Sequence, residues 1–209
     1  MPACRWPLFL IVAVAAAVLF WTSGPGWPAS DRVFLDFGLS RASLAAGHWW
    51  TLMTHAFLHG SWWHGILNLA GLWVVGRHLC DRHGGVFFTA IYFAGVVGGG
   101  LAQTALIPEG ILVGASGGVF ALVAAAGFLW DDRMVCLRFG PWRFAAFHGS
   151  YLGWGVLLAS IIFALFAPLL HAGDSLIGHA CHAGAAITGS IVAGLGRAFA
   201  RPVPPLVLP

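Results

Sequence analysis

Charged residues are scarce in this chain of 209 residues, making up 8% of the sequence against 59% for apolar residues. Soluble domains are typically about 45–50% apolar and about 25% charged, so this composition excludes an ordinary soluble protein. Lysine is absent, the formal net charge is only +3, and the arginines are scattered along the chain. We therefore expect no nucleic-acid partner. The composition indicates an integral membrane protein whose partner is the lipid bilayer.

Cysteine is also scarce, with four widely separated residues and no Cys-x-x-Cys pair. This pattern excludes a disulfide framework. His55 and His59 lie four residues apart, a spacing that can hold a metal, but no cysteine or carboxylate stands beside them at zinc spacing. We interpret them as hydrogen-bonded loop residues and expect neither a metal nor another cofactor.

Long apolar runs dominate what remains, and six of them are candidate membrane spans. They cover about residues 6–22, 62–76, 86–107, 113–130, 149–170 and 178–196. Because the runs are continuously apolar, and because lipid requires backbone groups to be satisfied internally, helices are expected rather than strands. The sequence predicts an all-α bundle of six helices with a long first outer loop, forming a single domain over 1–209.

The first and last segments each have a special reading. The run that follows Arg5 can alternatively be a cleavable signal peptide, although no clear small-x-small cleavage site follows it. The proline-rich tail 201–209 is expected to be a frayed end.

The arginines predict the orientation of the spans. Only Arg32 and Arg41 fall on one side of the six-span arrangement. The other eight fall on the opposite side: Arg5, Arg77, Arg82, Arg133, Arg138, Arg143, Arg197 and Arg201. The positive-inside rule then places both termini in the cytoplasm, and the loop 23–61 and the turns 108–112 and 171–177 outside.

Four polar residues meet at one depth in this arrangement. Span two begins outside with His64 and Asn68 on one helical face, and spans four and six begin outside with Ser116 and His182. Polar groups at this depth usually face a bundle interior or a water-filled cavity, which makes them functional candidates. A role as interhelical hydrogen-bond partners is the alternative.

Nucleophilic catalysis is the chemistry that these residues can perform. A serine hydroxyl needs an adjacent base, which a neutral imidazole supplies, and an oxyanion needs preorganised N–H donors. All seven carboxylates fall in loops or at span ends, with Asp174 the only one placed to approach His182. We therefore expect a Ser-His dyad rather than a triad.

Three segments resemble the motifs of one family, the rhomboid intramembrane serine proteases of the six-span bacterial type. "GASG" resembles the family's GxSG, "HAGAAITG" its H-x-x-G-x-x-x-G, and "HGILN" its H-x-x-x-N. The resemblance implies Ser116 as nucleophile, His182 as base, and His64 and Asn68 as oxyanion-hole residues together with the Ser116 amide. It runs from about Trp50 to Gly189.

Further residues near these motifs are expected to pack at the site or approach the substrate: Gly114, Gly117 and Phe120. Phe120 stands where a tyrosine often packs against the histidine ring, and phenylalanine preserves that stacking. Thr51 replaces an arginine of the family's loop. His179 competes with His182 as the base, but the downstream small residues Ala185 and Gly189 favour His182.

The resemblance implies an endopeptidase that cleaves single-span membrane proteins near the outer face of a bacterial inner membrane. Two other function classes remain open. One is a catalytically silent relative that binds membrane helices, and the other is a histidine-based metal or haem membrane protein. The sequence does not distinguish a general rhomboid from a rhombosortase-like subfamily, nor does it indicate an oligomeric state.

Overall fold

The computed structural model of the protein describes residues 5–23, 31–107, 109–129, 134–139, 142–166 and 178–199. The long helices are α1 (Trp6–Ser23), α5 (Trp62–His83), α6 (Gly85–Leu106), α7 (Ser116–Leu129), α8 (Gly149–Phe166) and α9 (His179–Phe199). Between α1 and α5 lie three short helices, α2 (Asp31–Phe37), α3 (Arg41–Ala45) and α4 (Thr51–Thr54), and a 3-10 turn (His55–Phe57). The predicted helical architecture is confirmed in these ranges.

Helix α5 is longer than the apolar run that predicted it. It begins after Ser61, whose hydroxyl oxygen accepts a hydrogen bond from the His64 amide at 3.3 Å. The run was expected to end at residue 76, whereas the helix continues to His83 and stops at Gly84, which has φ +87°. Charged residues end an apolar run without ending a helix, and a glycine in the left-handed region does end one.

The centre of the bundle is formed by α6, α7 and α9, which pack against one another most extensively. Ala121 on α7 lies between two glycines of its neighbours. A Cβ added at Gly95 would come within 2.2 Å of the Ala121 Cβ, and one added at Gly189 within 2.4 Å of its carbonyl oxygen. Helices α7 and α9 therefore approach each other closely through small residues.

Helix α1 packs against the same core through Leu8 and Ile11, which are buried with Leu72 and Phe88. Near its beginning, the Arg5 guanidinium forms a two-pronged ion pair with Asp81 near the end of α5. The beginning of α1 and the end of α5 are therefore held together at the end of the bundle opposite Ser116.

A short antiparallel hairpin lies between α7 and α8 in the chain, and the prediction of an all-α bundle did not include it. Strand β1 (Met134–Phe139) pairs with β2 (Trp142–His148), with an irregularity between Leu137 and Arg138. Strands of six and seven residues are too short to show a clear period beside much longer apolar runs.

Two of the described helices, α1 and α6, are long and apolar enough to cross a membrane by length and composition. Helix α7 has 14 residues, or about 21 Å at 1.5 Å per residue, against a hydrocarbon core of about 30 Å. The count of six spans stays a prediction.

Several residues named from the sequence lie outside the described ranges: Cys4, residue 130, Asp131, Asp132, Arg133, residues 167–177 with Asp174, Arg201 and the tail 201–209.

The loop between α1 and α5 is folded onto the end of α6 and the segment before α7. Leu39 and Leu112 exchange both backbone hydrogen bonds of an antiparallel bridge, at 3.0 and 2.7 Å. The Arg41 guanidinium donates to the carbonyls of Thr104 and Ala105 at 3.0 and 2.9 Å, in the last turn of α6. These carbonyls have no partner within the helix, so the arginine satisfies them and fixes the loop.

Candidate active site

Ser116 and His182 come together at one end of the bundle. Ser116 is the first residue of α7, and His182 lies in the first turn of α9. The Ser116 Oγ and the His182 Nε2 are 2.9 Å apart, a hydrogen-bond distance between residues 66 positions apart in the chain. Both side chains are half-buried, so the pair is packed on one side and open on the other.

The orientation of the His182 ring is fixed by an aromatic neighbour. Phe120, one turn below Ser116, stacks on the imidazole with ring centroids 4.0 Å apart and planes within 3°. The stacking expected for phenylalanine at this position is confirmed. His179 lies edge-on to His182 with ring centroids 6.2 Å apart. Of the two histidines, His182 is the one whose ring nitrogen lies within hydrogen-bond distance of the Ser116 Oγ.

His64 and Asn68 approach the same point from the beginning of α5. Asn68 is buried and its side-chain amide donates to the His64 carbonyl at 2.9 Å. An amide nitrogen carries two N–H donors, and this bond uses one of them. A Cβ added at Gly114 would lie 2.7 Å from the His64 ring and 3.8 Å from the Asn68 amide nitrogen. Both side chains therefore lie against the segment that leads into Ser116.

The glycines around Ser116 serve close packing. Gly114 has φ +122°, a conformation that other residues rarely adopt. A Cβ added at Gly117 would lie 3.0 Å from the Cys181 sulfur, and one added at Gly118 would lie 2.2 Å from the Tyr92 ring. Gly117 and Gly118 are buried and face the protein, so of the two roles expected for Gly117, packing is the one that the contacts support.

The loop before α5 holds the segment before Ser116, a connection that was not expected from the sequence. The Gly114 amide donates to the His55 carbonyl at 2.9 Å. The Ala115 amide donates to the His59 Nε2 at 3.3 Å, a bond between residues 56 positions apart. The interpretation of His55 and His59 as hydrogen-bonded loop residues is confirmed. Their bonds to Gly114 and Ala115 show that the loop supports the segment before Ser116.

Both of these loop histidines are uncharged at neutral pH. Burial lowers the pKa of His55 to about 4, although the carbonyl of Thr51, which accepts from its Nδ1–H at 2.8 Å, opposes the shift. Burial, and next the charge of His64, lower the pKa of His59 to about 4. Desolvation disfavours the charged form of a histidine, so each ring keeps one nitrogen as an acceptor.

Among the described residues, no group of three or more histidine, cysteine, aspartate or glutamate side chains is arranged to hold a metal ion. His182 instead bonds to Ser116, Asn68 donates to a backbone carbonyl of α5, and His59 accepts from the Ala115 amide just before α7.

Comparison with known proteins relates this arrangement to one family. The model of the Rhomboid domain matches residues 46–199, about three quarters of the chain. The chain belongs to the rhomboid family. It is therefore an integral membrane protein.

Relatives of this rhomboid come from distant organisms. It is 32% identical over 123 residues to Rhomboid-related protein 2 of Mus musculus, covering 56% of this chain and 41% of that protein. It is 30% identical over 132 residues to the Rhomboid protease GluP of Bacillus subtilis, covering 62% of this chain and 26% of that protein. It is 34% identical over 92 residues to the chloroplastic Rhomboid-like protein 16 of Arabidopsis thaliana, covering 43% of this chain and 27% of that protein. The matched part thus spans less than half the length of each of these relatives.

Thr51 replaces the family's arginine in this rhomboid with a small buried hydroxyl. It donates to the His48 carbonyl at 2.7 Å and lies 3.2 Å from the Ser43 hydroxyl. Ser43 in turn exchanges hydrogen bonds with Ser40 in the capping box of α3. The hydroxyl pair of Ser43 and Thr51 therefore links the capping box of α3 to the His48 carbonyl and stabilises the loop at this point.

Gln103 is a buried polar residue near the site that was not singled out from the sequence. Its side-chain oxygen accepts a hydrogen bond from the Cys181 amide at 3.1 Å. The first amides of a helix have no acceptor within it, so Gln103 on α6 satisfies one of them in the first turn of α9. A glutamine within an apolar run is the sequence signal that could have identified this residue.

Proposed function

We propose that this protein is an intramembrane serine endopeptidase that uses Ser116 and His182 as a catalytic dyad. The observation that carries the proposal is the 2.9 Å contact between the Ser116 Oγ and the His182 Nε2. Ser116 begins one helix, His182 lies at the start of another, and the Phe120 ring fixes the imidazole plane. Serine and histidine in this contact form the unit that serine hydrolases use to activate a hydroxyl.

The reaction follows from this contact. The Ser116 hydroxyl donates to the neutral His182 Nε2, which takes the proton as Oγ bonds to the carbonyl carbon of a peptide. The carbonyl oxygen becomes an oxyanion. His182 then gives its proton to the leaving amine, and water hydrolyses the acyl-enzyme with His182 again acting as the base.

Three N–H donors near Ser116 are assigned to the oxyanion. The Ser116 amide is at the beginning of α7, where helix geometry leaves it without an intrahelical acceptor. Asn68 has a second side-chain N–H, and the His64 ring lies against Gly114. Preorganised donors of this kind stabilise developing negative charge where water is excluded.

The dyad is proposed to work without a carboxylate. Among the described residues, no aspartate or glutamate is bonded to His182, and Asp174 lies outside the described ranges. Stacking on Phe120 and the bond to Ser116 orient the His182 ring, a role that a carboxylate has in a catalytic triad.

We further propose that the chain forms one domain of six spans in a bacterial inner membrane, with both termini in the cytoplasm. The support is the bias of eight arginines against two in the sequence. In this orientation Ser116 faces the outer leaflet, and single-span membrane proteins are the proposed substrates.

A fluorophosphonate probe tests whether Ser116 is an activated nucleophile. Such a probe phosphonylates a serine only when a base removes its proton, so we expect labelling of the purified wild type at Ser116. Labelling is measured by mass spectrometry of the modified peptide. His182→Ala should not be labelled. A folded wild type that stays unlabelled and cleaves no membrane protein would identify a catalytically silent rhomboid instead.

The proposed location of Ser116 predicts where substrates are cut. A regular helix keeps its carbonyls in i to i−4 bonds, so a substrate must unwind locally before attack. Glycine and proline disfavour a helix by about 1 and 3 kcal/mol, so such residues near the outer end of the substrate helix should favour cleavage. Replacing them with leucine in a cleaved reporter should slow cleavage by roughly 5-fold for glycine and by up to roughly 150-fold for proline.

Moving the helix-breaking residue toward the cytoplasmic end of the reporter provides the control for orientation. We expect this variant to remain uncut, as measured by the mass of the fragments. Rapid cleavage at a bond near the cytoplasmic face would show that the proposed orientation is wrong.

A further inference from the structure

His59 contacts the backbone immediately before the nucleophile. Its ring is fully buried, and its Nε2 accepts a hydrogen bond from the Ala115 amide at 3.3 Å. Only an unprotonated ring nitrogen accepts such a bond. The neutral His59 ring therefore carries its hydrogen on Nδ1.

Ala115 is held from both sides. Its N–H donates to His59, and its carbonyl accepts from the Val119 amide at 3.0 Å as the first hydrogen bond of α7. The preceding residue, Gly114, is tied to the His55 carbonyl at 2.9 Å. The next peptide unit carries the N–H of Ser116, so the direction of that N–H depends on how Ala115 is held.

We propose that His59 is a positioning residue that aims the Ser116 N–H at the oxyanion by fixing the Ala115 peptide. This inference rests on the proposed function, because an oxyanion forms only if Ser116 attacks a carbonyl. The His59 side chain bonds to the Ala115 amide and lies edge-on to the His64 ring with centroids 5.2 Å apart, so it acts through other groups. It contributes to catalysis by fixing the direction of the Ser116 N–H donor. Displacing a catalytic group by about 1 Å can reduce turnover by about 100-fold.

The test compares two substitutions of His59 in the full-length protein. His59→Gln keeps an acceptor, because the glutamine amide oxygen reaches nearly as far as Nε2, whereas His59→Leu fills the site without one. We expect His59→Leu to lower kcat on a single-span reporter by roughly 10- to 100-fold with KM within about threefold. The rate of fluorophosphonate labelling should fall with it. His59→Gln should retain at least about a third of the kcat.

A matched control removes another buried histidine of the same loop. The His55 ring donates to the Thr51 carbonyl at 2.8 Å, whereas its bond to Gly114 is made by the backbone carbonyl, which a leucine retains. His55→Leu should lower the melting temperature in detergent while kcat per folded enzyme stays within about threefold. Should His59→Leu not fold, His59→Asn replaces it, because the shorter amide does not reach the position of Nε2.

The outcomes separate the positioning role from the proposed function. Equal kcat for the acceptor-lacking variant and His59→Gln, or losses matched by His55→Leu, would overturn the role of His59 while leaving the dyad intact. A raised KM with unchanged kcat would overturn it too, since substrate docking is then affected. A wild type that neither cleaves the reporter nor labels at Ser116 would overturn the proposed function and this inference with it.

Discussion

Ser116→Ala and His182→Ala should each reduce cleavage of a single-span reporter by about 10⁶-fold, to the background of the assay. The reason is that Oγ and Nε2, 2.9 Å apart, are proposed to act as one catalytic unit. Without the base the hydroxyl is not activated, and without the hydroxyl the base has nothing to activate. The double variant should therefore be scarcely less active than either single variant. The measurement is the initial rate of fragment formation in proteoliposomes.

A control for this experiment is Ser190→Ala, on the same helix as His182. The Ser190 hydroxyl donates to the Ala186 carbonyl within its own helix at 2.7 Å, so its loss should leave cleavage within about twofold. All four proteins should have melting temperatures within a few degrees of the wild type. Strictly additive losses in the double variant would argue against a dyad.

Asn68→Ala should lower kcat by about 100- to 1,000-fold, or about 2.7–4 kcal/mol of transition-state stabilisation, with KM little changed. The side-chain amide is assigned to the oxyanion, which exists only after attack, so substrate binding does not depend on it. His64→Ala should have the same effect on a smaller scale. Steady-state kinetics on a soluble fluorogenic peptide or a reconstituted reporter separate the two constants.

The Asn68 substitution also removes a bond to the carbonyl four residues earlier, and Thr89→Val controls for that loss. Thr89 donates to the Gly85 carbonyl at 2.7 Å in the same way on α6. Its replacement should leave kcat within about twofold. An unchanged kcat with a raised KM in Asn68→Ala would place Asn68 in substrate docking instead.

Much of the bundle could be predicted because the apolar runs are long and because successive spans are expected to cross the membrane in opposite directions. That alternation alone brings the beginnings of α5, α7 and α9 to one end, and with them Asn68, Ser116 and His182. Stacking of Phe120 on His182 was implied by the family resemblance, in which a tyrosine often packs against the histidine ring at this position.

The parts that could not be predicted depend on contacts between irregular segments. The bond from Ala115 to His59 joins residues 56 positions apart, and nothing periodic in either segment marks it. The hydroxyl pair of Ser43 and Thr51 likewise depends on how the loop folds back. Helix α5 extends past its apolar run because hydropathy reports burial in lipid, whereas helix ends depend on residues such as Gly84.

The partner of Ser116 lies on α9, the last described helix, and this has a consequence for synthesis. Ser116 leaves the ribosome 66 residues ahead of His182, which at about 5–20 residues per second is a delay of roughly 3–13 s. Throughout that interval the nascent chain contains the hydroxyl but not the imidazole. Under the proposed function, the newly inserted chain therefore has no activated nucleophile until α9 has joined the bundle, and this order of synthesis delays its activity toward neighbouring membrane proteins.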